Sequence, residues 1–232
     1  MNIKRIFGKS RYAVFFLLLP LLASCVGVNA DIVFNSDKSG TIDLEYKISV
    51  LLESLGRQDG NENYPVVPAG RTDFERTIAR LPGLKLLSYN MREDKNDKTI
   101  NVKLQFDNPQ ALMSFLDPAG ARAVYSESGG INKLTLVLDD GSRSDDSSRV
   151  QNQNPDLKNL ILKAAEGYKI SVSMSFPTAG KLSILDNNGK PIMDLTAGSN
   201  TGMVLDGKKV SFSLPLGTIL YSQNGIKPEF TW

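Results

Sequence analysis

The chemistry open to this 232-residue chain is set first by what it lacks: there is no histidine and only one cysteine, Cys25. Without imidazole, a Ser-His or Cys-His nucleophile, a His-ligated zinc and a histidine pH switch are all excluded. Carboxylate pairs, a Ser-Lys pair or an oxygen-ligated metal remain. No S-x-x-K stands at the start of a helical segment, where a Ser-Lys pair would be positioned. Asp139, Asp140, Asp145 and Asp146 offer oxygen ligands, yet they lack the D-x-[DN]-x-[DN]-G spacing and stand among Ser and Arg, the pattern of a solvated loop. In "LDNNGKPIMD", Asn187, Asn188 and Gly189 carry the chemistry of a hairpin turn, not of a metal loop. Arg57, Arg71, Arg76 and Arg80 make either a basic patch or a solvated helix face, and the spacing favours the face. No catalytic residue, metal ligand or cofactor is assigned on these grounds, and the chain is not expected to be an enzyme.

Cys25 is set apart by its surroundings. Lys4, Arg5, Lys9 and Arg11 precede it with no acidic residue before Asp31, and an apolar run from Tyr12 to Leu22 follows them. This is the layout of a secretory signal peptide, a positive segment and then a short apolar one. A bilayer span needs about 20 apolar residues, so the run is short for one, and Pro20 weakens it further. Leu22-Ala23-Ser24-Cys25 resembles the lipobox of bacterial lipoproteins. By that resemblance Leu22, Ala23 and Ser24 are the recognition residues of the lipoprotein signal peptidase. Cys25 receives a diacylglyceryl group on its thiol and becomes the mature N-terminus, residues 1–24 are removed, and fatty acyl chains such as palmitate hold the protein on the membrane. Two or three acyl chains at about 0.8 kcal/mol per buried CH₂ anchor stably where one does not. The resemblance implies a lipid-anchored, extracytoplasmic protein on the cell membrane or outer membrane, and Val26, standing where an inner-membrane retention aspartate would be, points to the outer membrane in a cell that has one.

Loss of the four basic leader residues leaves 23 basic against 25 acidic side chains, a net charge of −2 that argues against nucleic acid as partner. Residues 25–30 read as a lipidated end and short tether, and 31–232 as one extracytoplasmic domain with ample length for a core.

Within that domain, Asp31 to Asn35 and Thr41 to Ser49 form a predicted hairpin around Ser36 to Gly40. Thr72 and Glu75 sit at capping-box spacing before Phe74, Ile78 and Leu81. Leu84 to Met91 and Thr99 to Phe106 make a second hairpin. Asn108-Pro109 opens a helix with Leu112, Phe115 and Leu116 on its apolar face. Arg122 to Ser126 and Asn132 to Leu138 make a third hairpin through Gly129-Gly130. Asn154-Pro155 opens a further helix with Leu157, Leu160, Ile161, Ala164 and Ala165 on one side. Strands at Tyr168 to Phe176, Lys181 to Asp186, Gly202 to Leu205 and Lys208 to Leu214 follow. Helices between strand pairs imply an α+β fold, a mainly antiparallel curved sheet built from successive hairpins with about three amphipathic helices packed on one face.

The hairpin with "NSDKSGTIDL" soon after Cys25, and the late "FPTAGKLSILDNNG" after an amphipathic helix, resemble the LppM-type bacterial lipoproteins. In that family a strand ending in Phe-Pro-Gly leads to an Asn-Gly turn and a strand ending in Trp. This chain departs from the pattern by Thr178-Ala179 between Pro177 and Gly180, and by the stretch from Gly189 to Pro215. The resemblance implies a tethered α+β domain of lipid-binding type, associated with envelope glycolipids. Three function classes are open: a module that binds a lipid or other amphiphile at the membrane surface, an interaction or assembly subunit with an envelope protein partner, and, ranked last, a carboxylate-dependent enzyme. An apolar cavity would mark the first, an exposed apolar patch the second, and carboxylates facing across a cleft the third.

Replacing Cys25 with Ala should leave the precursor uncut and without labelled fatty acid. Failure of the unmutated protein to take up label during growth would refute the lipobox reading.

Overall fold

The computed structural model describes residues 26–49, 70–140, 159, 162–163, 165–192, 202–220, 222 and 224–232. Strand β1 (Val26–Phe34) and β2 (Gly40–Ser49) form the expected first hairpin, closed by hydrogen bonds between Asn35 and Ser39 and by the Asp37 carboxylate, which accepts from the Ser39 amide and hydroxyl. β1 begins five residues earlier than its pattern suggested, so residues read as a tether are strand. Gly27, Asn29 and Asp31 alternate with the inward Val28, Ala30 and Ile32, but Gly and Ala are too small to register as an apolar period.

The next elements are α1 (Arg71–Ile78), β3 (Leu84–Glu93), β4 (Asp97–Phe106) and α2 (Pro109–Leu116). α1 corrects the expected capping box. Gly70 holds the cap position, its carbonyl accepting from the Asp73 and Phe74 amides, so Thr72 falls inside the helix and Glu75 pairs with Arg71 at 2.8 Å. α2 is capped as expected, Asn108 Oδ1 accepting from the Ala111 amide at 2.9 Å with Pro109 at the first position. A bulge between Leu86 and Ser88 interrupts the β3–β4 register, and Leu87 is exposed.

The third hairpin, β5 (Ala123–Ser128) with β6 (Ile131–Leu136), turns through Gly129 and Gly130 at φ 58° and 77°. Both values lie where a Cβ is costly, which is the reason for two glycines in a two-residue turn. Beyond it come β7 (Lys169–Ser175), β8 (Lys181–Leu185), β9 (Gly202–Asp206), β10 (Lys209–Pro215), the short α3 (Leu216–Leu220) and β11 (Lys227–Thr231).

The strands form two sheets rather than one. A seven-stranded sheet runs β3-β4-β2-β1-β7-β10-β9, and a four-stranded sheet runs β5-β6-β11-β8. All pairings are antiparallel except β1 with β7, which is parallel from Val28↔Ile170 to Val33↔Ser175. Successive hairpins cannot give that contact, because parallel neighbours need a crossover connection. Among the described residues the result is a β-rich α+β fold with one mixed and one antiparallel sheet.

One face of the large sheet is apolar and buried: Ile32 and Phe34, Ile42 and Leu44, Val102 and Leu104, Val172 and Met174, Phe212 and Leu214. Phe212 meets Phe230 of β11 at 6.1 Å between ring centroids, and Trp232 stacks on Phe176 at 4.3 Å and tilts against Phe34 at 4.9 Å. These rings join the two sheets in a single core. Phe74 of α1 reaches the same core through Tyr46 and Tyr89.

Gly40 pairs with Phe106 where a Cβ would overlap both the Val33 carbonyl oxygen and the Phe106 ring. Gly40→Ala should therefore destabilise the domain by about 1 to 3 kcal/mol or more in denaturant unfolding. A neutral result would mean the first hairpin yields easily. Burial holds the Tyr46 phenol well above its ordinary value of 10.0, with Tyr89 and Asp73 adding to the shift. The folded state thus keeps a proton that the unfolded chain releases first. The stabilisation is complete below the unfolded value and is lost as pH rises past it. Urea unfolding between about pH 9 and pH 11 should show this loss, and Tyr46→Phe should flatten it by up to about 1.4 kcal/mol per pH unit; identical slopes would refute the assignment.

Candidate functional site

The sheet topology brings several strand ends to one edge of the domain. β1 and β7 start there, the antiparallel β2 and β10 finish there, and β4 starts there, so Val26, Ser49, Asp97, Lys169 and Pro215 share one end. The chain enters β7 through a tight turn. The Tyr168 amide donates to the Ala165 carbonyl at 3.2 Å, and Gly167 takes φ 86°, the left-handed conformation that ends helical backbone most cheaply in glycine. Residues 162, 163 and 165 before it are helical.

Tyr168 organises this end. A Cβ on Gly27 would stand 3.3 Å from Tyr168 Cδ1, so the bare Gly27 backbone gives the ring its place. From there the phenol hydroxyl donates to Asp97 Oδ1 at 2.8 Å, tying the start of β7 to the start of β4. The Tyr168 carbonyl also accepts from the Leu216 amide at 2.9 Å, fixing the end of β10. In the neighbouring β3–β4 turn, the Asn96 and Asp97 amides donate to the Asp94 carboxylate and, with Lys47 nearby, hold it below its ordinary value.

Two clefts flank the turn and share it as a wall. One, of about 510 Å³, is mixed, with Asn29, Glu45, Lys47, Asp97, Lys169 and Ser171 on its sides beside Val28 and Tyr168. The other, of about 590 Å³, is mainly apolar at Leu162, Ala165, Pro215 and Gly217, with Lys163, Glu166 and Lys169 also lining it. Ala165 is buried while Leu162 is 37% exposed, so part of this wall meets solvent. An apolar trough beside ammonium groups can hold an amphiphile by its chain while its polar end stays wet.

The residues singled out from sequence are distributed as follows. Leu22, Ala23, Ser24 and Cys25 lie outside the described residues, as do Arg57, Asp145, Asp146, Leu157, Leu160, Ile161 and Ala164. Arg71 and Arg76 lie on the solvated face of α1, paired with Glu75 and with Asp73 at 3.6 Å. The Asn187-Asn188-Gly189 segment is a turn: the Asp186 carboxylate accepts from the Asn188 and Lys190 amides, and Leu185 bridges Pro191. This turn lies against the start of the acidic loop, with the Asn187 side-chain amide donating to the Asp140 carbonyl. Asp139 is buried, and its Oδ2 has no partner among the described residues. No group of three or more acidic or thiol side chains able to hold a metal occurs among the described residues.

Gly27, Tyr168, Asp97 and Gly217 were not picked out by sequence reasoning. Tyr168 showed only as the head of an alternating strand, and the other three carried no local signal, because their roles depend on strands far apart in sequence. No protein-family model, curated protein or solved structure matches this chain, so what the site can do follows from its own residues.

Proposed function

We propose that the protein is a membrane-anchored envelope lipoprotein of the LppM-like kind, non-enzymatic, whose extracytoplasmic body binds a lipid or other amphiphile at the membrane surface. The apolar cleft at Leu162, Ala165, Pro215 and Gly217 is the observation that carries the reading. It lies at the end of the domain where β1 starts, one residue after Cys25, so an acyl chain leaving the bilayer there has a short path into it. The anchor keeps the cleft at the surface, and Lys163 and Lys169 together with Glu166 suit a zwitterionic head group.

The finer layout belongs to the same proposal. About three amphipathic helices lie on one face of the sheet. α1 and α2 bury Phe74, Ile78, Leu112 and Phe115, and the helical residues before the Glu166–Lys169 turn supply the third.

Gly217 gives a direct test. Its Cβ would stand 3.4 Å from Leu162 Cδ2, an ordinary contact, and its backbone lies outside the left-handed region. Gly217→Leu should fill the cleft without unfolding the domain. In a fluorescent fatty-acid titration the wild type should bind saturably and the variant about tenfold more weakly, a difference of about 1.4 kcal/mol, with the thermal midpoint unchanged. Wild-type protein with no saturable binding to any lipid would sink the proposal and leave the assembly-subunit reading in its place.

A further inference from the structure

We infer that the domain stands upright on the bilayer, with the strand ends around Val26 against the lipid head groups and the opposite turns pointing away; this orientation rests on acylation of Cys25.

The first support is the absence of slack. β1 is hydrogen bonded into the sheet from its first residue, Val26 opposite Ile48, with β7 joining on its other side at Val28. A lipidated residue 25 is thus about 3.8 Å along the chain from a strand paired with β2 at once and with β7 from its third residue. A flexible stalk would let the body tumble above the membrane, but a strand that begins beside its anchor fixes which end is near.

The second support is the character of the surfaces. The outer face of the large sheet is wet: Asp31 pairs with Lys209 at 3.4 Å, Asp43 with Lys103 at 3.1 Å, and Ser171 bonds Ser213 at 2.8 Å. Asp31 and Asp43 are direct cross-strand neighbours, so their charges are best left in water. Laying this face on lipid would desolvate those groups for little apolar gain beyond the exposed Val33. The end around Val26 offers head groups something different. Leu162 is partly exposed there, and Lys47, Arg92, Lys95, Lys98, Lys163 and Lys169 stand with Glu45, Glu93, Asp94, Asp97 and Glu166 in the last residues of strands, in the β3–β4 turn or along the clefts. Charges of both signs at that level match zwitterionic head groups, in which phosphate and ammonium lie together.

The two ends differ enough in height to measure. β4 spans ten residues, about 34 Å of strand, between the β3–β4 turn and the far end. Asn96 and Lys95 are exposed at the near end, and Ser36 and Lys208 are exposed at the far end. Acylated Cys25 is a thioether and does not react with a maleimide dye, so each of Asn96→Cys and Ser36→Cys takes one label.

The test uses the full chain, processed in a bacterium that makes lipoproteins and reconstituted into phosphatidylglycerol and phosphatidylethanolamine vesicles containing a head-group quencher. Mass spectrometry of the N-terminal peptide reports acylation separately. Quenching of the label at 96 should exceed that at 36 several-fold, with Lys95→Cys against Lys208→Cys repeating the contrast should either first variant misfold. Equal quenching at the two ends, or stronger quenching at 36, on acylated protein would overturn the upright orientation while leaving the anchor intact. An unacylated N-terminal peptide would overturn the anchor and the orientation together.

Discussion

The large sheet depends on β1 being hydrogen bonded along both edges, antiparallel to β2 and parallel to β7. The β2 contact is local and closes through a five-residue turn. The β7 contact joins residues about 140 positions apart, and it fuses the β3-β4-β2 half of the sheet to the β10-β9 half. Without it there would be two small sheets, each with an exposed edge and half an apolar face. A parallel neighbour also requires the chain to return to the starting end of β1 before β7, and the described residues that precede β7 there, helical 162, 163 and 165 and the Glu166–Lys169 turn, wall both clefts.

A second constraint acts across the layers. The small sheet has no hairpin link to β1 or β2, yet its last strand carries Phe230 and leads to Trp232, whose rings reach Phe212, Phe34 and Phe176. Aromatic pairs of this kind add about 0.5 to 1.5 kcal/mol each beyond the area they bury, and they dictate geometry as well. β11 also pairs with both β6 and β8, so these late residues hold the small sheet together and against the large one. The second sheet is therefore complete only with β11 in place.

The clefts by the Glu166–Lys169 turn open where side chains are small. Inward positions along the middle of the sheet are filled by large apolar residues, whereas the clefts lie beside Gly27 on the outward side of β1, Gly167 in the turn and Gly217 in α3. Small residues at strand and helix termini leave volume that the larger side chains close elsewhere. The Glu166–Lys169 turn is the wall the two clefts share, and the Tyr168 to Asp97 hydrogen bond ties that turn to β4 on one side of it. A mixed cleft beside a mainly apolar one suits a molecule with two ends.

What the sequence determined alone was local. Alternation at Ile42, Leu44 and Tyr46 and at Ile100, Val102 and Leu104 specified strands and their buried face, because the side-chain period of a strand is two. Asn108-Pro109 specified a helix start and Gly129-Gly130 a tight turn, because cap and turn chemistry act within four residues. The histidine-free composition restricted the catalytic chemistry, and the Leu22 to Cys25 pattern raised the lipid anchor. Tertiary structure decided the rest. It divided the strands into two sheets, set β1 beside β7, started β1 at Val26 through residues too small to show a pattern, and moved the cap of α1 from Thr72 to Gly70. It also chose Tyr168, Asp97, Gly27 and Gly217 as the makers of the clefts. Each of these depends on which distant segment supplies a hydrogen-bond partner or a vacant volume, and that is a property of the packed chain rather than of any window of residues.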